Sequence, residues 1–363
     1  MKEPFIPQTL PLTNEINPLD FMQLLIEANK KVAIYDNMLN QSKINKNLLL
    51  TPISLNEAVQ STRIEGTQVT IDQVLESQAD NDHSSENIQE VLNYSQALYY
   101  GKQLLERLPI STRVIKTLHQ QLLSGQVRGR NRSPGEFRTT QVYIGPEGCT
   151  IKNATFIPPE HTLINSCMSN LETYINEPTD NLDYLARVAI IHAQFETIHP
   201  FLDGNGRIGR ILIPLYLYQV GVIDEPSFFL SQTLERDKYK YYQLLNDTRK
   251  GNWNEWITFF LECTIKQAEL NIKLIEKINT LYDRDLERMK NLITSSRIID
   301  LLNAMFTFPI FNVKNISEAT GINLNTTRRY LTTLEENRII YSDKKARNKK
   351  YYYYDLINII KGE

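Results

Sequence analysis

The chain has 363 residues, 41% of them hydrophobic and 23% charged, the composition of an ordinary globular protein with room for two or three domains. A net charge of −2 excludes a chain that binds nucleic acid through bulk charge, but the charge is uneven: residues 290–363 carry 12 Lys/Arg against 7 Asp/Glu, a net of +5 that leaves −7 on the remainder. Cys149, Cys167 and Cys263 fit neither a disulfide framework nor a zinc spacing, and no apolar run has signal-peptide or membrane-span length, so a cytoplasmic protein without a membrane contact is expected.

Residues 1–14 contain proline, lack periodicity and read as an extended surface arm. Residues 18–105 are mostly helical in pattern; Phe21, Leu24, Leu25, Ala28 and Val32 recur at three- and four-residue steps and build one apolar face. A polar break at 79–85 follows, with Ser84 or Ser85 placed to cap a helix beginning near Glu86. Pro109-Ile110-Ser111 opens another helix to about Ser124, and residues 128–135 read as loop. Residues 141–144 and 150–156 are short β-like runs around Gly145-Pro146-Glu147-Gly148, which predicts a hairpin.

Helical periodicity resumes near Leu163 and holds to about Tyr282. Leu185, Val188, Ala189, His192 and Phe195 form one stripe that stops just before His199; Ile208, Ile211, Leu212, Leu215 and Tyr216 form the next. The intervening residues are therefore a turn between two helices. From about Thr294 the pattern is a helix to Phe306, then 313–320, a turn at Gly321, a helix over 324–337, a strand-like 338–341, and a basic tip at 344–350 before Tyr351.

The turn carries the chemistry. Its sequence is His199-Pro200-Phe201-Leu202-Asp203-Gly204-Asn205-Gly206-Arg207-Ile208-Gly209-Arg210. A helix N-terminus offers unpaired N–H groups and the positive end of the macrodipole, and Gly204 and Gly206 let backbone approach an anion there. Arg207 and Arg210 lie three residues apart on one helix face and grip phosphate through planar forks, so a di- or triphosphate suits the site better than a single phosphate. Asp203 is a hard oxygen ligand of the kind that holds Mg²⁺ together with substrate phosphates. His199 titrates in a range that lets it take a proton from an attacking hydroxyl. No G-x-x-x-x-G-K-[ST] occurs, which excludes a P-loop NTPase.

This stretch resembles the Fic family signature H-x-F-x-[DE]-G-N-G-R-x-x-R at every specified position. The resemblance covers roughly residues 51–270. It implies a mainly α fold, a Fic-type helical core with a β-hairpin flap; beyond it, the helix, turn, helix and basic hairpin of the last segment look like a C-terminal winged helix-turn-helix domain. It further implies transfer of AMP from ATP to a Ser, Thr or Tyr hydroxyl of a target protein, with His199 as base and Asp203 holding Mg²⁺. Gly204, Asn205 and Gly206 would form the anion hole, Arg207 and Arg210 would hold the β- and γ-phosphates, and Ile208 and Gly209 belong to the same nucleotide-binding stretch. Val142, Tyr143 and Ile144 would dock target backbone by strand addition. Tyr242 and Leu245 are candidates for the adenine pocket, with core packing as the alternative.

Ser61-Thr62-Arg63-Ile64-Glu65-Gly66 is similar to the family's inhibitory motif [ST]-x-x-x-E-[GN], with Ser61, Glu65 and Gly66 at the specified positions. The implied role is a pairing of Glu65 with Arg210 that takes the guanidinium from the γ-phosphate. The expected organisation is an N-terminal region over 1–108 with the inhibitory helix at about 51–66, a catalytic domain over 109–285 and a winged-helix domain over 290–363. In the last, Asn325, Thr326, Thr327, Arg328 and Arg329 would face a DNA groove and 344–350 would form the wing tip; protein contacts or a homodimer are the alternative use. Other reactions on the same fold are phosphoryl transfer and removal of AMP, and a regulator whose Fic part only senses ATP is a reading from a different class.

Overall fold

The structure, a computed structural model, describes residues 3–12, 15–42, 44–80, 85–145, 148–345 and 347–362. Helices dominate. In the N-terminal region α1 (Met22–Asn40), α2 (Lys46–Ile64), α3 (Ile71–Asp80) and α4 (Glu86–Leu105) follow one another. The middle of the chain adds α5 (Thr112–Leu122), α6 (Ile164–Asn176), α7 (Tyr184–Ile198), α8 (Asn205–Gln219), α9 (Ser231–Arg236), α10 (Lys238–Thr248) and the long α11 (Trp253–Leu292). α7 is the centre of the core: every residue from Leu185 to Ile198 is buried, because it is wrapped by α1, α6, α8, α10 and α11.

Local signals explain several boundaries. Ser111 caps α5 by accepting from the Val114 N–H, and Asp183 caps α7 by accepting from the Leu185 N–H. Ser85 stands at the N-cap of α4 but its side chain makes no capping bond, and Ser84 lies outside the described residues. The arm is not loose: Leu10 is buried, and both its N–H and C=O are held by the Asn170 amide at 2.9 Å.

The expected hairpin over 141–156 is reduced to one antiparallel bridge, Ile144 with Phe156, while Pro146 and Glu147 of its turn lie outside the described residues. Among the described residues no third strand pairs with them, and two short strands alone have little to hold them extended. Gln141 instead spends its amide on the Pro158 carbonyl at 2.8 Å.

The C-terminal unit runs α12 (Ile298–Thr307), β1 (Ile310–Asn312), α13 (Val313–Thr320), α14 (Leu324–Glu336), β2 (Tyr341–Ser342), β3 (Lys350–Tyr352) and α15 (Tyr354–Lys361). Its antiparallel sheet has the order β1-β3-β2, with Tyr351 opposite both Phe311 and Ser342. Gly321 ends α13 in the left-handed conformation, as its position after the last periodic residue predicts. Two expectations for its surface need correction. Thr327 does not face outward: it is buried, with its hydroxyl donating to the Ile322 carbonyl at 3.3 Å, because it falls on the side of α14 turned to the core. The basic tip is partly spent internally, since Lys349 pairs with Glu335 and Lys350 with Asp80, both at 2.6 Å.

That last contact belongs to a clasp. Asp72, Glu76 and Asp80 line one face of α3 at four-residue steps and meet Lys361, the Tyr352 hydroxyl and Lys350. Asn312 also donates to the Ala79 carbonyl at 3.1 Å, satisfying one of the open carbonyls at the end of α3. Among the described residues no helix is long and apolar enough to cross a membrane.

Candidate active site

α7 ends at His199, which takes the left-handed conformation (φ 49°), and α8 begins after Gly204, also left-handed (φ 78°). The six residues from His199 to Gly204 reverse the chain. Phe201 is fully buried and anchors the turn. Asn205 closes it: its Oδ1 accepts from the Phe201 N–H and its Nδ2 donates to the Phe201 carbonyl, both at 2.9 Å. The Asn205 side chain is therefore committed to the turn, and its backbone N–H is the group it can offer an anion.

Arg210 is the most heavily engaged residue of the motif. Its Nε donates to Ser61 Oγ at 2.8 Å, and its Nη2 donates to the Ser61 carbonyl at 3.0 Å and to Glu65 Oε1 at 2.6 Å. Arg210 is 2% exposed, whereas the Glu65 side chain keeps 27% of its surface. Burial works against the Glu65 anion, but the Arg210 charge and hydrogen bond, with Arg207 and Arg128 behind, hold its carboxyl below the ordinary range. Glu65 sits at the C-cap of α2, and Gly66 (φ 96°) ends the helix there. The carboxylate lies against Gly206: a Cβ on Gly206 would fall inside van der Waals contact of Glu65 Oε1 and 3.0 Å from Arg210 Nη1. Glu65 thus occupies the anion-attracting N-terminus of α8.

Arg207 is fully buried beside Asp203 (3.2 Å) and Glu90 (3.7 Å), and among the described residues its Nε and Nη1 have no hydrogen-bond partner. Asp203 keeps 29% of its side-chain surface. The hydrogen bonds to it, from the Gly204 N–H and Arg207 Nη2, fall on Oδ1, and Oδ2 faces Gly129. Among the described residues no group of three or more His, Cys, Asp or Glu is placed to hold a metal ion. A single part-exposed carboxylate beside an anion-binding helix end fits a Mg²⁺ that takes most of its ligands from phosphate and water.

Burial, and then the charges of Arg249 and Arg138, push the His199 imidazole down to about 4, so it is neutral at neutral pH; among the described residues its Nδ1 has no hydrogen-bond partner. The backbone of His199 is fixed by Arg138, which is 2% exposed and donates to the carbonyls of His199 (2.9 Å), Thr140 (3.1 Å) and Pro159 (2.6 Å). One guanidinium thus ties the turn to both ends of the flap. Arg249 packs over the Phe156 ring at 3.4 Å and donates to Thr197 Oγ1 at 3.2 Å.

Val142 and Ile144 are half-buried and Tyr143 is 40% exposed, so of these three residues Tyr143 is the one turned outward, beside the Ile144–Phe156 bridge. Of the two adenine candidates, Leu245 is buried in the core face of α10 and Tyr242 is 40% exposed, its ring 5.1 Å from that of Tyr241. Ile208 is buried beneath the turn, and Gly209 backs onto Glu196, whose Oε1 a Cβ there would overlap.

Several residues at the site carry no motif signal. His119 reaches the turn from α5, accepting from the Gly135 N–H at Nδ1 (2.8 Å) and so donating from Nε2 to the Asp203 carbonyl (2.9 Å). Glu90 accepts from the Thr67 hydroxyl at 2.7 Å and faces both Arg128 and Arg207. Glu196, three residues before His199, is buried with Oε1 unpartnered among the described residues, and burial pushes its carboxyl up to about 7. Only a polar residue in an otherwise apolar stripe could have singled out Glu196 from sequence.

A turn between two helices, with a neutral imidazole at one end and a buried arginine at the other, brings together groups of the kind that bind an anion and move a proton. Residues 22–103 match the Fic/DOC family N-terminal model and residues 109–217 match the Fic/DOC family model. The chain belongs to the Fic/DOC family. Curated relatives named Protein adenylyltransferase Fic, from Drosophila grimshawi and Drosophila melanogaster, are each 29% identical over 218 residues. Those 218 residues are 58% of this chain and 41% and 40% of the relatives, so the match spans about two fifths of their length. Among solved structures, a Fic family protein from Desulfovibrio desulfuricans superposes with a TM-score of 0.58 at 19% identity, covering 97% of this chain and 98% of that one. Fic-1 from C. elegans does so with a TM-score of 0.53 at 21% identity, covering 71% of this chain and 73% of that one. At these identities the likeness is one of fold.

Proposed function

We propose that the protein is an adenylyltransferase that moves AMP from ATP to a hydroxyl of a target protein, and that Glu65 restrains it. The observation that carries this reading is the contact of Glu65 with Arg210 at 2.6 Å against Gly206, an anion of the protein itself seated where a phosphate would bind. The relatives named as adenylyltransferases support the class of reaction. With Glu65 withdrawn, Arg207 and Arg210 hold the outer phosphates and the N–H groups of Gly204, Asn205 and Gly206 cradle them. Asp203 would hold Mg²⁺, which supplies charge neutralisation between phosphates. His199 takes the proton of the target hydroxyl, whose oxygen bonds to the α-phosphorus as pyrophosphate leaves with the bonding pair. The flap residues Val142, Tyr143 and Ile144 position target backbone beside His199.

The test is incubation of wild type and Glu65→Gly with ATP and Mg²⁺, followed by intact-mass measurement. Freeing Arg210 should raise AMP transfer, to the protein itself as well, by about 10- to 100-fold, because misplacing phosphates by about 1 Å costs that much. A gain of phosphate mass would assign phosphoryl transfer instead, and loss of AMP from a premodified protein would assign its removal. No mass change in either protein would leave an ATP-sensing role.

We read residues 290–363 as a winged-helix unit with a nucleic-acid face. Support comes from the exposed Asn325, Arg328 and Arg329 on the first turns of α14. Duplex affinity that falls steeply with salt would bear this out, and the absence of duplex binding would leave the protein-contact alternative.

A further inference from the structure

The arm ahead of α1 is fastened to the flap. Phe5 donates its backbone N–H to the Ile157 carbonyl at 3.0 Å, and its ring meets that of Phe156 with centroids 5.8 Å apart and planes tilted by 58°. Phe156 is the residue that closes the flap: it exchanges both backbone hydrogen bonds with Ile144, at 2.9 and 3.0 Å. Its ring is therefore held from two parts of the chain, by Arg249 at the end of α10 and by Phe5 of the arm. The arm is itself tied down beyond the flap. The Gln8 carbonyl accepts from Gln194 Nε2 of α7 at 2.7 Å, and Gln8 Oε1 accepts from Trp253 Nε1 of α11 at 3.2 Å. Leu10 is buried, with Asn170 of α6 on both its N–H and its C=O. A segment without secondary structure of its own is ordered only if such contacts offset its conformational entropy. Residues 5–10 thus form a strap that runs from the flap to three helices, one of them the helix that ends at His199.

We propose that Phe5 is a positioning residue for the target protein: through Phe156 and Ile157 it holds the flap in place, so that the edge over Val142, Tyr143 and Ile144 receives target backbone at a fixed distance from His199. The inference rests on the reading of those three residues as the docking edge. Strand addition needs two backbones in register, and an edge that moves loses the hydrogen bonds that give the affinity. A two-stranded ribbon closed by one bridge does not hold itself still. That work falls to the contacts behind it. Arg138 fixes the two ends of the flap at the Thr140 and Pro159 carbonyls. Phe5 and Arg249 fix its middle at Phe156. The bonds of the arm fall on Phe156 and Ile157, on the run behind the docking edge, so the arm supports that edge without occupying it.

The test uses the full chain in the Glu65→Gly background. Phe5→Ala removes the ring, and a chain lacking residues 1–6 removes the backbone bond as well. Amide hydrogen exchange is followed by mass spectrometry in peptides covering Ile144, Thr155 and Phe156, whose N–H groups make the cross-bonds of the flap. Exchange there should quicken about threefold in Phe5→Ala and about tenfold or more in the shortened chain, the loss of one ring contact and then of one hydrogen bond, while α6 and α7 keep their protection. AMP transfer is measured to a His199→Ala copy of the chain as acceptor. The KM for that copy should rise about tenfold in the shortened chain, with kcat and the dissociation constant of ATP within about twofold. Flap amides that exchange at the parental rate overturn the proposal, and so does a loosened flap with an unchanged KM for the acceptor copy. Protection lost equally in α6 and α7 marks a general destabilisation and overturns it too. If the Glu65→Gly parent binds ATP but transfers no AMP, the reaction assigned above fails, and the exchange measurement still decides whether Phe5 holds the flap.

Discussion

The rings of His119 and Phe201 lie face to face, with centroids 3.7 Å apart and planes 5° from parallel. The stack joins α5 to the middle of the turn that separates His199 from α8, and the same imidazole bonds the Asp203 carbonyl and the Gly135 N–H. Burial pushes His119 down to about 4, so it stays neutral and keeps one donor and one acceptor, as those two bonds require. His119→Ala removes the stack and strands a buried carbonyl and N–H. The expected cost is about 3 kcal/mol in urea unfolding, with AMP transfer lost in the Glu65→Gly background. A variant as stable and as active as its parent would dismiss His119 as the support of the turn.

Gly206→Ala separates loss of the Glu65–Arg210 contact from the activation proposed to follow it. The new methyl would overlap Glu65 Oε1 and press on Arg210 Nη1, expelling the carboxylate. The same methyl fills the anion cradle, so ATP affinity should fall at least about tenfold relative to Glu65→Gly, and transfer should stay low although the ion pair is broken. Helix propensity favours the substitution by up to about 1 kcal/mol, so loss of folding would not be the cause. ATP binding equal to that of Glu65→Gly, seen by titration, would contradict the placement of phosphate at Gly206.

Arg138→Lys tests how far the backbone of His199 depends on a planar fork. Arg138 serves four carbonyls, those of Thr140, Pro159, Ile198 and His199, which a single ammonium on a flexible stem cannot reproduce. In the Glu65→Gly background kcat should drop about 100-fold, because His199 shifts relative to the attacking hydroxyl, while the KM for ATP stays within about threefold. A change confined to KM would move Arg138 from the base to the nucleotide.

Stability should depend on pH in a way that two buried groups of opposite kind nearly cancel. Burial, the largest cause in each, pushes His119, His192 and His199 from 6.5 to about 4, and pushes Glu57 and Glu196 from 4.5 to about 7. Between about pH 4.5 and 6.5 the unfolded chain binds three protons at the histidines that the folded chain does not. In the same window the folded chain keeps two at the carboxyls that the unfolded chain has released. Histidine-derived stability is lost as pH falls through this window, and carboxyl-derived stability is lost as pH rises through it. The net is one proton toward the unfolded state, so stability climbs with pH by about 1.4 kcal/mol per unit from these groups. Replacing both carboxyls, Glu57→Gln with Glu196→Gln, should steepen the slope to about 4 kcal/mol per unit. Parallel slopes for the two proteins in urea titrations at several pH values would refute the assignment.

Much of this was legible before any coordinates. The stripes ending at Phe195 and resuming at Ile208 fixed the bend, since apolar spacing of 3.6 residues registers where a helix faces the core. Gly66, Ser111 and Gly321 mark ends because their chemistry at a helix terminus is local. His119, Arg138, Glu90 and Arg249 were invisible for the opposite reason: each meets the turn from another element, His119 across 84 residues and Arg138 across 61. A local pattern holds no record of such a meeting. The flap was over-read because alternation predicts which residues can be extended, and pairing decides which are. Thr327 was misplaced because it stands among polar neighbours on a helix whose buried side is set by Leu331 and Leu334.

Glu65 and Arg210 stand 145 residues apart in one chain and 2.6 Å apart in space. An occupant tethered in this way is never diluted. Its local concentration is set by chain geometry, on the order of millimolar or above for a short flexible link, and does not change when the protein is scarce. On the function proposed above, a triphosphate arriving at that arginine would contend with a resident that no dialysis can wash out, and its apparent affinity would report the stiffness of the end of α2 as much as the fit of the nucleotide.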